Sequence, residues 1–208
     1  MARMSSAGPA RSSPGGRRER KRQESRERLY SAAIALFLDN GFEATTVDQI
    51  ANRADVARAT AFNYFPQKVA YLEEWGRRRR ERVRAQLAGD AYPKGSDVSA
   101  AAHLSRYLRE MALLNTGSRR ESLALMDPSV RMGQALRSPT LDVDLAEVVR
   151  GGQRTGEFRG DVEAEQVGVV LAATYFSTVL QWTATDPPPF DLDLRLQQTL
   201  DLVLRGLR

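Results

Sequence analysis

Apolar residues recur along this chain three and four positions apart, and glycine, proline and asparagine interrupt them. That period belongs to amphipathic helices, and no stretch reads as a convincing strand. From Glu19 to Asn40, Leu29, Ala33 and Phe37 with Ile34 and Leu38 line one broad face, and Gly41 supplies a stop. Thr46 then offers a hydroxyl N-cap, with Asp48 and Gln49 in the first turn and Val47, Ile50 and Ala51 at helical spacing. This second helix has a narrow apolar face and depends on packing for its stability. In the third, Ala57, Ala61 and Phe65 fall on one side. Small residues at Ala51, Ala54, Ala57 and Ala61 let the two helices approach at a steep angle, with Val56 plugging the corner, which is helix-turn-helix geometry. Pro66 closes the third helix. A fourth opens at Gln67 and runs through Tyr71, Leu72 and Trp75 to about Ala88, a reach of ~30 Å at the usual rise.

Ala91-Tyr92-Pro93-Lys94-Gly95 is the first clear break, and Ser96 the next expected N-cap. Helical patterns follow over Ser96–Leu114, ended by Asn115-Thr116-Gly117, and over Arg119–Met126 and Pro128–Leu136, split at Asp127-Pro128. Another runs from Pro139 to Arg154, with Gly151-Gly152 as its frayed end. Glu163–Thr185 is apolar nearly all round, so it must be covered on more than one side. After Asp186-Pro187-Pro188-Pro189, the stretch Leu192–Leu207 carries Leu192, Leu196, Leu200, Val203 and Leu207 on one stripe and Leu194, Leu202 and Leu204 on another. Two stripes imply two partners. The last two helices are either a buried core pair in a monomer or, the reading favoured here, one half of a four-helix dimer interface.

Composition removes several function classes. Cysteine is absent and His103 is the single histidine, so disulfides, thiolate metal sites and most His-based catalytic sites are excluded. His103 itself reads as a surface or pocket-edge residue. Asp142, Asp144 and Glu147 form an acidic cluster, more naturally a solvated face than a metal site. No cofactor and no enzymatic activity are expected. With no run of about 18 apolar residues and no signal-peptide core, a cytoplasmic protein without membrane association is expected.

The net charge of +5 is unevenly spread: Met1 to Asp90 holds 18 Lys and Arg against 11 Asp and Glu, and the remainder 13 against 15. A polyanionic partner is therefore favoured for the first half alone. Residues 1–18, rich in Ser, Gly, Pro and Arg, read as a disordered arm that either lies in a minor groove or only solubilises the chain. Arg20, Lys21, Arg22, Arg26 and Arg28 crowd the start of the first helix, and Arg77 to Arg80 read as solvated or interdomain.

Gly41-Phe42, Thr45-Thr46-Val47, Ile50-Ala51, Val56, Thr60, Phe62, Tyr64-Phe65 and Lys68, followed by Leu72, resemble the N-terminal signature of the TetR family of bacterial transcriptional regulators. The matching stretch covers about Arg20 to Leu72. Where the family usually has Gly in the turn this chain has Asp55, which accommodates a left-handed backbone. Where the family has Ser or Thr at the helix N-cap it has Ala57, a loss of about 0.5–2 kcal/mol unless Asp55 compensates. The resemblance implies an all-α dimer paired through its last two long helices, mostly acting as a repressor.

Three segments are thus expected: the arm (1–18), a three-helix helix-turn-helix DNA-binding domain (19–66), and a larger helical ligand-binding and dimerisation domain (67–208). Arg58, Ala59, Thr60 and Asn63 are the candidates for base contact in double-stranded DNA, and Thr46, Tyr64 and Lys68 for phosphate. Trp75, Tyr107, Met111, Met126, Tyr175 and Phe176, with Leu114, Met132 and Trp182, are the candidates for a pocket holding an unknown small-molecule effector. The expected function is a homodimer that binds an inverted-repeat operator and is released by that effector. A ligand-independent architectural DNA-binding protein is the alternative.

Overall fold

A computed structural model describes residues 14–87, 99–132 and 141–207, with side chains from Arg18 onward. Within those residues the chain forms nine α-helices and no strand. Helix α1 spans Pro14–Asn40, so it enters the stretch assigned to the arm; its leading proline stands where a missing N–H costs nothing. Residues 1–13 of that arm lie outside the described residues. Gly41 ends α1 with φ +84°, and its N–H donates to the Phe37 carbonyl at 3.0 Å. Helix α2 (Val47–Arg53) is held by a capping box: the Thr46 hydroxyl accepts from the Gln49 N–H at 3.2 Å, and Gln49 Oε1 accepts from the Thr46 N–H at 2.8 Å.

Helix α3 (Arg58–Tyr64) follows a turn in which Asp55 takes the left-handed conformation, φ +51°. The turn is thus kept without glycine. Ala57 receives no side-chain cap, so Asp55 does not supply the missing hydroxyl. Ala51, Ala54 and Ala61 are buried where α2 meets α3, but Ala57 is exposed. As the capping residue it sits at the rim and does not join the close contact.

Helix α4 (Val69–Leu87) packs against α1 and then against α5 (Ala100–Gly117) and α6 (Arg119–Arg131). Ser96 and the break before it lie outside the described residues. The observed cap of α5 is Ser99, whose hydroxyl accepts from Ala102 N–H, and the Glu157 carboxylate accepts from the N–H groups of Ala100 and Ala101 at 2.6 and 2.9 Å, where the helix dipole favours an anion. The expected split at Asp127-Pro128 does not occur. Helix α6 runs through Pro128 in its last turn; the proline forgoes one helix N–H donor, and the burial of its ring offsets that cost.

Helices α7 (Leu141–Thr155) and α8 (Ala164–Thr183) form the most extensive pair, and α9 (Leu192–Arg205) covers α5 and α8. Gly151 and Gly152 are buried inside α7 and do not fray it. A Cβ on Gly152 would stand 2.4 Å from the Phe158 ring, so this glycine admits a side chain from the following loop. A Cβ on Gly168 would stand 2.3 Å from the Asp142 carbonyl, and its absence lets α8 lie directly on the α7 backbone. On α9, Leu192, Leu196, Leu200 and Leu204 are buried, which moves Leu204 from the expected second stripe to the first. Leu194 and Leu202 remain 59% and 70% exposed.

Candidate nucleic-acid interface and ligand cavity

The outward side of α3 presents Arg58, Ala59, Phe62 and Asn63 to solvent, with Thr60 and Tyr64 half-buried. The Arg58 guanidinium is held upright: its Nε meets the Asp48 carboxylate at 2.9 Å, and its plane lies 5.6 Å from the centre of the Phe62 ring. A cation, an apolar ring and an amide thus share one face, the combination that reads base edges and thymine methyls in a major groove. Phe62 entered the sequence reading only through the family signature and was not singled out for this face.

Of the residues expected at phosphate, Thr46 stands exposed at the entry to α2, with its hydroxyl engaged in the cap. Tyr64 is packed against the core and lines the cavity described below. Lys68 faces inward: its ammonium donates to the carbonyls of Phe42 at 2.6 Å and Glu43 at 3.1 Å, and lies 4.4 Å above the Phe42 ring. Two of its three N–H groups therefore tie the α1–α2 connection to the base of α4.

The three-helix unit is joined to the rest through a buried carboxylate. Glu74 is 4% exposed on α4 and accepts from Arg26 on α1 at 2.9 Å, from Arg77 at 2.9 and 2.6 Å, and from Arg78 at 2.7 Å. Arg78 reaches back to α1, donating to both oxygens of Glu27 at 2.8 and 2.6 Å. Burial alone would push the Glu74 carboxyl up, but the hydrogen bonds from Arg77 and Arg78 and the charge of Arg26 outweigh it and hold it below its ordinary value. The hydrogen bond from Arg78 likewise holds Glu27 low. Glu74 and Arg78 thus clasp α4 to α1, Arg77 pairs with Glu74 and Glu81 within α4, and Arg79 is buried in place of solvated.

Beside this clasp lies a cavity of about 370 Å³, within the size range of small-molecule sites. Trp75, Met111, Met126, Tyr175 and Phe176 line it, together with Leu141 and Ser129, while the candidates Leu114, Met132 and Trp182 do not. Its other wall is Arg26, Tyr64, Phe65 and Pro66, so the space extends from the C-terminal helices to the end of α3. Trp75 is fixed by an N–H donated to Glu121 at 3.1 Å. Asn115 donates to the Tyr175 hydroxyl at 2.8 Å and to the Met111 carbonyl at 2.7 Å, and accepts from Ser122 at 2.9 Å. Asn115 read in sequence as a helix terminator; it is fully buried inside α5 and anchors the wall.

Tyr107 does not line this cavity. Its hydroxyl donates to Asp144 at 2.7 Å in a separate cleft with His103, Arg84 and Glu147, because position 107 lies on the α7 side of α5. Burial, with Asp144 beside it, pushes this hydroxyl up. The acidic cluster is not a bare solvated face: Asp144 pairs with Arg84, and Glu147 with Arg150 and Arg154. Among the described residues no group of side chains is arranged to hold a metal ion, and no helix is long and apolar enough to cross a membrane. His103 is buried at the edge of the Tyr107 cleft.

Residues 29–74 match the family model described as bacterial regulatory proteins, tetR family. Across most of its length the chain is similar to a lauroyl-CoA complex of FadR, a TetR-family transcriptional repressor from Thermus thermophilus: 32% identity, TM-score 0.68, 88% of this chain and 95% of that one. It is 25% identical over 186 residues to the HTH-type transcriptional repressor KstR of Mycolicibacterium smegmatis, covering 88% of each chain. FadR from Bacillus subtilis, in complex with stearoyl-CoA, shares the fold at 19% identity and TM-score 0.64, over 88% of this chain and 99% of that one.

Proposed function

Because the chain belongs to the TetR family of bacterial regulatory proteins, we propose that it is a homodimeric transcriptional repressor that leaves its operator when a small molecule fills the cavity beside Trp75. The observation that carries this reading is the reach of that cavity. It touches Met111, Met126 and Tyr175 at one end and Tyr64, Phe65 and Pro66, the base of α3, at the other. An occupant presses directly on the segment that sets the pose of the DNA-reading helix.

Arg58, Ala59, Thr60, Phe62 and Asn63 meet base edges in this reading, and Thr46 meets phosphate. Tyr64 and Lys68 hold α3 in place from behind. Two subunits pair through α8 and α9, where Val169, Val170 and Ala173 are exposed and Phe176 and Leu180 half-exposed, four of these recurring on one face of α8, with Leu194 and Leu202 beside them. Pairing them places two α3 helices about one DNA turn, ~34 Å, or a multiple apart, which selects an inverted repeat. Displacement requires the effector to prefer the non-binding pose by about 5.5 kcal/mol for a near-complete switch. The clasp of Glu74 on Arg26 makes α1 follow any tilt of α4, so the three-helix unit moves as one body. The relatives bound to lauroyl-CoA and stearoyl-CoA favour an effector that carries an acyl chain.

Gel-shift titration of the intact protein with its own upstream DNA, against random duplex of equal length, tests the reading. Specific binding by about 10³-fold or more over random DNA is expected. A shallow ratio instead marks an architectural protein that uses the same helices without an operator.

A further inference from the structure

The cavity contains a charge that its apolar candidates did not foretell. Arg79 is 8% exposed, on α4, and lines the space. Its Nη1 donates to the Ser118 hydroxyl at 3.0 Å, and its guanidinium stacks 4.8 Å from the Trp75 ring. Nε and Nη2 are buried and make no well-formed hydrogen bond; the Tyr175 hydroxyl stands close enough to feel the charge, but it is neutral, and Arg79 has no ion pair among the described residues. The arginines that surround Glu74 already consume both of its oxygens. A guanidinium removed from water without a counter-charge is unfavourable, and Nε–H with one N–H of Nη2 forms the fork that a carboxylate or phosphate accepts in pairs. The lining as a whole carries four arginines against two glutamates. Met111, Met126, Leu141 and Phe176 line the same space.

We propose that the effector is an anionic amphiphile: its carboxylate or phosphate head pairs with Arg79 at Nε and Nη2, and its apolar tail lies among Met111, Met126, Leu141 and Phe176. This rests on the reading of the cavity as the effector site and adds the chemistry of what enters it. Seating an anion on Arg79 also acts one residue from Arg78, which clasps Glu27 of α1. The head group therefore loads the helix that carries the interdomain contacts.

The intact protein is titrated, below micellar concentrations, with dodecanoate, dodecyl phosphate, dodecanol and lauroyl-CoA. Binding is read from the fluorescence of Trp75, with Trp182→Phe as background, and DNA release is read separately by anisotropy. Dodecanoate or dodecyl phosphate should bind about tenfold to a hundredfold more tightly than dodecanol, the range expected for charged hydrogen bonds. In Arg79→Gln the gap should shrink to about twofold or less, and Arg79→Lys should keep part of it. Equal affinity for the alcohol and the anions in the wild-type protein overturns the proposal without any variant, so a misfolded Arg79→Gln leaves the test intact. A gap that survives in Arg79→Gln also overturns it. So does lauroyl-CoA binding best with no dependence on Arg79, since its anionic groups then lie elsewhere. Tight anion binding without DNA release upholds the head-group assignment and overturns the release mechanism, which keeps the two failures apart.

Discussion

Replacing Glu74 by glutamine tests the interdomain clasp with almost no change of shape. The carboxylate is 4% exposed and accepts four hydrogen bonds from three guanidinium groups. Glutamine keeps one acceptor oxygen and turns an NH2 toward donors, so two of the four bonds are lost and the cations lose their counter-charge. Removing one partner of a fully buried pair costs about 3–5 kcal/mol, but the arginine side chains here are 27–37% exposed and water recovers part of that. About 2 kcal/mol remains, which lowers the melting temperature by roughly 4–8 °C for a chain of this size. The sign with pH follows from the depressed carboxyl. Its stabilisation is complete above the ordinary value of 4.5 and is lost as pH falls below it toward the folded-state value. Glu74→Gln should therefore melt lower than wild type at pH 7, and the difference should narrow in acid. Calorimetry at pH 7 and at successively lower pH measures both. Equal melting temperatures at pH 7, or a gap that widens in acid, would refute the clasp.

Four further outcomes are expected. Gly168→Ala forces a methyl to within 2.3 Å of the Asp142 carbonyl and should cost about 1–3 kcal/mol in urea denaturation; a neutral result would mean α7 and α8 are less closely apposed. Tyr71→Phe should be neutral or stabilising by about 1 kcal/mol, since the buried Tyr71 hydroxyl has no partner; a clear loss would reveal one. Asn63→Ala should weaken operator binding by about 1–3 kcal/mol and relax preference at one base pair, whereas equal weakening on all sequences would place Asn63 at the backbone. Val170→Glu with Leu202→Glu, both at exposed apolar positions, should yield monomers by light scattering; an unchanged mass would remove α8 and α9 from the interface.

The helix-turn-helix was legible in the sequence because its constraints are local. The Thr46 cap, the small residues at Ala51, Ala54 and Ala61, and the Gly41 stop each act within a turn or two of themselves. Asp55 could be assigned a left-handed backbone on the same grounds. What escaped was set by partners far along the chain. Pro128 looked like a break because its cost is local, while the burial that outweighs it is tertiary. Gly151-Gly152 looked like a frayed end because nothing nearby announces that Phe158 will lie against Gly152. Five of the nine pocket candidates line the cavity, but Tyr107, Leu114, Met132 and Trp182 do not, since composition cannot say which side of a helix faces inward. Arg79 was read with its neighbours as part of a charged run, and only the packing of α4 against α5 and α6 separates it from Arg77 and Arg78.

The central claim is that two copies of α3, fixed by one dimer, read two half-sites on the same face of a duplex. The most direct measurement is the affinity of the intact protein for an operator selected from random duplexes, before and after about half a turn (~5 bp) is inserted between its half-sites. The account predicts binding as a dimer to the selected repeat and a loss of affinity of at least about tenfold on insertion, which a full turn (~10 bp) does not restore, because it moves one half-site a further ~34 Å from an α3 whose place the dimer fixes. Affinity that ignores the insertion, or a bound species of one subunit on one half-site, would contradict it.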